Sequence, residues 1–133
     1  MALVVNKIII RSMNFNEYYW HDATIKNIQI DRTNPGVKDI ILLEIEWPEN
    51  KEKSIFIFED VYWASFNLNF GVVCDETILS AELINGEDED LDNFNSKWKG
   101  AMSDVKLNAY KIELNSTGSK LKIIAKRYKE HKV

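Results

Sequence analysis

The sequence predicts an α+β domain: a mainly antiparallel, curved β-sheet of five to seven strands built from hairpins, with one helix at about 87–99 packed on it. Three observations carry this. Apolar residues alternate with polar ones, with a period of two, in several short runs. Turn chemistry separates those runs at hairpin spacing. A helical period occurs once, in the acidic stretch that ends at Gly100.

The clearest strand is Ile40 to Trp47, where Ile41, Leu43, Ile45 and Trp47 alternate with Leu42, Glu44 and Glu46 and Pro48 stops the run. Thr24 to Asp31 precedes it, with Ile28 and Ile30 in phase and Ile25 out of phase, as a bulge would leave it. Asn34-Pro35-Gly36 lies between them. Proline presets φ and glycine accepts a positive φ, so the two strands form a hairpin. Ser54 to Phe58 is apolar on both faces, which predicts a central strand. The chain resumes as Val61 to Phe70, where Phe66, Leu68 and Phe70 alternate with asparagines up to Gly71. Thr77 to Ile84 reads as a strand.

Leu91, Phe94 and Trp98 recur at helical spacing over 87–99. Asp88, Asp90 and Asp92 stand at the start of that segment and Lys97 and Lys99 at its end, which complements the helix dipole. Gly100 supplies the stop. Lys106–Leu114 and Lys120–Tyr128 form a last hairpin around Asn115–Ser119. Met13-Asn14-Phe15 reads like a start, so the Val/Ile-rich residues 1–12 are expected to be an extension forming an edge strand, which makes homo-oligomerisation through it a possibility to test.

The chain of 133 residues is 45% hydrophobic and 11% aromatic. It is read as a single domain over 1–133, long enough to bury roughly two-thirds of its unfolded surface without staples. No run reaches the ~18–20 apolar residues of a membrane helix, and no cleavable leader is legible. Cytoplasm is the expected location, with no membrane partner. Cys74 is the only cysteine, so an internal disulfide is excluded, and a small buried apolar role is expected for it.

The candidate chemistry is thin. An EF-hand loop started at Asp88 puts Asn93 at position six and Lys99 at position twelve, where a glycine and a bidentate glutamate belong. No glycine-rich phosphate loop occurs. His21 and Asp22 suggest a base and its orienting carboxylate, but neighbours in an extended chain point to opposite faces. A structural histidine bonded to backbone is therefore expected, and an enzyme centred on His21 is the rival reading. No catalytic residue, cofactor site or metal site is assigned.

Charge is divided along the chain. Residues 1–104 carry nine basic and nineteen acidic side chains, and residues 105–133 carry eight basic and two acidic. The lysines of the last strand read as a guard on a sheet edge. The net charge of −4 argues against nucleic acid and for steering toward a basic protein partner.

Trp20-His21-Asp22-Ala23-Thr24-Ile25, Phe58-Glu59-Asp60-Val61 and Asn69-Phe70-Gly71 resemble segments of a loose group of small, uncharacterised bacterial single-domain proteins. Some of these are immunity-like proteins of polymorphic toxin systems. The likeness covers roughly residues 20–84. It implies a protein that works by binding, with a basic toxin-like partner, and it transfers no catalytic residue.

The expected function is non-catalytic protein binding. Glu87, Asp88, Glu89 and Asp90 are the candidate steering charges, and Tyr18, Tyr19 and Trp63 the candidate anchors. The alternative is a small-ligand domain with a pocket lined by Phe56, Phe58, Trp63 and Phe66.

Overall fold

A computed structural model describes residues 13–97 and 105–133. Six strands form one antiparallel sheet: β1 (Thr24–Asn34), β2 (Lys38–Glu46), β3 (Lys53–Asn67), β4 (Ile78–Leu83), β5 (Asn108–Leu114) and β6 (Lys120–Lys132). Their order across the sheet is β1-β2-β3-β6-β5-β4. One helix, α1 (Glu89–Lys97), lies between β4 and β5 in sequence. The α+β class and the hairpin construction are as expected. The expected edge strand at residues 1–12, and Trp98, Lys99 and Gly100 of the expected helix, lie outside the described residues.

The first hairpin forms where turn chemistry places it. Gly36 takes φ +86° after Pro35, and Ile28 and Ile30 of β1 lie opposite Leu43 and Ile41 of β2. The out-of-phase Ile25 has its cause in a register shift between Ile25 and Asn27. The two runs on either side of Glu59-Asp60 are one strand. β3 continues through Asp60, held at φ +53°, with a register shift against β6 between Val61 and Trp63. The bulge re-phases the strand's side chains, and alternation read from sequence breaks there.

β6 corrects the reading of the lysine-rich C-terminal strand as an edge. It runs between β3 and β5, and Lys122, Lys126, Arg127 and Lys129 are paired with carboxylates of the fold. Arg127 and Lys129 pair with Glu59 (3.3 and 3.0 Å), and Arg127 also reaches Asp60 (3.1 Å). The acidic N-terminal portion and the basic C-terminal portion are thus partly matched across one strand pair.

The two edge strands approach each other at one end. Thr24 and Thr77 form an isolated bridge, flanked by Asp22 N–H to Ile78 O (2.9 Å), Ile78 N–H to Ala23 O (2.7 Å) and Ile25 N–H to Glu76 O (2.9 Å). Beyond these bonds the ladder between β1 and β4 stops. The sheet is therefore brought together at that end without closing into a barrel.

Packing uses both faces, as the alternation in β6 shows. Ile123 and Ala125 enter the main core with Ile41, Leu43, Phe56, Phe58, Tyr110 and Ile112. Ile124 points the other way and joins Leu107 and Ala109, against which Leu91 and Phe94 of α1 and Trp63 pack. A turn of 3₁₀ helix, Phe15–Glu17, covers the main core. Phe15 is 1% exposed and its ring meets Trp20, Phe56, Phe58, Tyr110 and Tyr128 at centroid separations of 4.8–6.2 Å. Trp20 Nε1–H donates to Phe15 O (2.7 Å). Asn16 pairs with both backbone groups of Leu83, so a side-chain amide occupies part of the exposed edge of β4.

Burial pushes the Tyr110 hydroxyl up to about 12. A tyrosine whose folded pKa is raised stabilises the fold below its unfolded pKa of about 10 and loses that contribution as pH rises through the folded value. Stability should therefore hold to about pH 10 and fall between pH 10 and 12. Chemical denaturation at stepped pH checks this, and Tyr110→Phe should make the fall shallower, leaving the share due to Tyr18, Tyr128 and Lys122, which are also raised.

Candidate functional site

Two surface features stand out. The first is the connection between β3 and β4. Alternation predicts that the strand runs to Phe70, but β3 ends at Asn67. The chain then turns away, leaving Phe70 86% and Val73 102% exposed, with Val72 42% exposed between them. The loop base is tied down. Asn69 N–H donates to Ser119 Oγ (2.9 Å), Asn69 Nδ2 donates to Thr117 O (3.2 Å), and Gly71 N–H donates to Asn69 Oδ1 (2.9 Å). Ser119 is itself buried. Apolar side chains are thus displayed on a braced loop. Cys74, expected to be buried, is exposed at its end, because the loop that carries it stands off the core.

The second feature is a groove of about 910 Å³ between the 3₁₀ turn and the far end of β6. Tyr18, Tyr19, Trp47, Tyr128 and Glu130 line it. Tyr18 and Trp47 stack with ring centroids 5.7 Å apart and planes 9° from parallel. Period-two register puts Glu130 opposite Phe56 and on the core-facing side of β6. There the carboxylate is fixed by neutral donors. Tyr18 Oη–H donates to Oε1 (2.9 Å) and Ser54 Oγ–H to Oε2, while Trp47 Nε1–H donates to Ser54 Oγ (3.0 Å). Burial, and then the hydrogen bond and charge of Glu130, hold the Tyr18 hydroxyl well above the ordinary tyrosine range. Tyr18 therefore stays a donor at any physiological pH.

The expected site residues are distributed over these features and elsewhere. Tyr18 is half-buried and Tyr19 61% exposed, both on the groove. Trp63 faces the opposite side of the sheet, under α1, and so is not an anchor beside them. Glu87 and Glu89 are exposed. Asp88 and Asp90 both grip Lys122, and of the two only Asp90 keeps much exposed surface, at 43% of its side chain. Asp88 also caps α1 through Leu91 N–H (2.9 Å). The pocket expected from Phe56, Phe58, Trp63 and Phe66 does not form. Phe56 and Phe58 are 0% exposed inside the main core, Phe66 packs against that core, and Trp63 lies on the other face.

His21 Nδ1 lies 3.2 Å from Leu79 O, a backbone contact of the kind expected. Its Nε2 nevertheless lies 3.7 Å from Asp22 Oδ1. The extended-chain argument fails here because Asp22 takes φ +70°, which swings the two neighbouring side chains together. Both are more than half exposed.

Sequence reasoning missed Trp47, Ser54 and Glu130 as a group, since Trp47 follows the end of β2 while Ser54 and Glu130 come from β3 and β6. It used Phe70 as a strand residue. Asn69-Phe70-Gly71 nonetheless held a turn signal, in which an asparagine caps the backbone two residues on.

The fold and these surfaces define an α+β antiparallel-sheet domain that presents an apolar loop and an aromatic groove. No protein-family model matches the chain, and no curated protein matches it. Among the described residues no group of three or more His, Cys, Asp or Glu side chains is placed to hold a metal ion, and no helix is long and apolar enough to cross a membrane.

Proposed function

We propose that this protein acts without catalysis, by binding a basic protein partner in the manner of an immunity-like module, with the Phe70–Val73 loop as its anchor. The display of Phe70 and Val73 on a hydrogen-bonded loop carries the reading. Contiguous apolar groups held in water mark interaction surfaces, and a loop already fixed in place loses little conformational freedom on docking. The net charge of −4 favours encounter with a cationic surface.

A photo-crosslinking residue at position 70, with one at the apolar, 74% exposed Val37 as control, tests this in the native host. The expected result is one discrete adduct from position 70, absent from position 37, whose protein component is basic. The same adducts from both positions, or none from position 70, would count against the loop.

A further inference from the structure

The groove at the opposite margin of the main core carries a separate assignment, independent of the loop. Most carboxylates with a defined partner in this structure face a cation: Glu59 and Asp60 face Arg127, Asp88 and Asp90 face Lys122, and Asp39 faces Arg32. Glu130 differs. It is half-buried, and its hydrogen bonds come from the uncharged Tyr18 and Ser54. Among the described residues it has no ion-pair partner. Neutral donors orient the carboxylate and leave its negative charge uncompensated. Around it the rings of Tyr18, Trp47 and Tyr128 offer apolar walls and electron-rich faces, which attract cations as well as apolar stems.

We infer that this groove binds an arginine side chain of an extended basic peptide segment. A guanidinium is planar and weakly hydrated, and it stacks on aromatic faces while its N–H groups meet a carboxylate. A volume of about 910 Å³ exceeds one side chain, so flanking residues of the peptide have room beside it. Lys132 lines the same groove and opposes a cation there, whereas Lys129 is drawn toward Glu59.

Calorimetric titration of the full chain with a blocked Gly-Arg-Gly-Arg-Gly peptide tests the assignment, with a Gly-Glu-Gly-Glu-Gly peptide and free butylguanidinium as separate arms. Saturable binding of the arginine peptide alone is expected. Glu130→Gln, which keeps the shape and one of the two acceptor oxygens but removes the charge, should weaken it at least tenfold, and Lys132→Ala should tighten it. Equal binding by wild type and Glu130→Gln, or no binding by wild type, would overturn the assignment. Butylguanidinium binding as tightly as the peptide would also overturn it, in favour of a small-molecule cation. The peptide reads the groove alone and crosslinking at position 70 reads the loop, so either reading can fail without the other.

Discussion

Phe15→Ala should cost the fold about 3–5 kcal/mol, the range for truncating a fully buried phenylalanine. The ring is the common neighbour of five other aromatic rings drawn from the turn that follows it, from β3, from β5 and from β6. Its removal leaves a cavity that these strands cannot close, because register fixes Phe56 and Phe58 against Leu43 and Ile41. It also loosens the 3₁₀ turn that holds Tyr18 over Glu130. Denaturant unfolding should show the midpoint falling with an unchanged slope. A loss below about 1 kcal/mol would mean that the turn is not part of the core. Phe15→Leu, which refills much of the volume, should recover more than half of the loss.

Lys122→Ala should destabilise by roughly 2 kcal/mol, less than a fully buried ion pair because Asp90 is 43% exposed. The substitution leaves Asp88, only 9% exposed at its side chain, with a negative charge and no counter-ion. The pH dependence has a definite sign. Burial opposes the charge on Asp88, but the Lys122 ammonium and the Leu91 N–H outweigh it and hold the carboxyl below its ordinary value. The contribution of Asp88 is therefore present above the unfolded pKa near 4 and lost as pH falls through the lower folded value. Burial likewise opposes the charge on Lys122, whose pKa is nonetheless raised by the two carboxylates. Its contribution is present below about pH 10 and lost as pH rises through the folded value. Acid unfolding curves for wild type should steepen below about pH 4, and those for Lys122→Ala should do so less. Near-ultraviolet signals from Trp63, which packs against the same cluster as Leu91 and Phe94, should change in the variant.

These expectations depend on elements that differ in how far sequence reveals them. The β1–β2 hairpin was legible because Asn34-Pro35-Gly36 fixes the turn and register follows from it. The central place of Ser54 to Phe58 was legible because apolar residues on both faces need cover on both sides. The position of β6 was not, since lysines read as edge guards when the acidic residues that pair with them are more than thirty positions away, as Asp88 and Asp90 are from Lys122 and Glu59 is from Arg127. Phe15 carried no signal either, as a three-residue 3₁₀ turn has no periodicity to detect. The same holds for the groove, whose Tyr18, Trp47, Ser54 and Glu130 are joined only by strand pairing and one turn. The loop was misread for a local reason: alternation through Phe66, Leu68 and Phe70 continues past the point where Asn67 ends the ladder.

The central claim is that the protein works by presenting a braced apolar loop to a basic partner. Titration of the partner captured at position 70 against wild type and Phe70→Asp tests it most directly. Phe70 is 86% exposed, so the variant should melt with the wild type while binding at least 30-fold more weakly, as for a central anchor of an interface. Equal affinity of the two proteins for that partner would contradict the account.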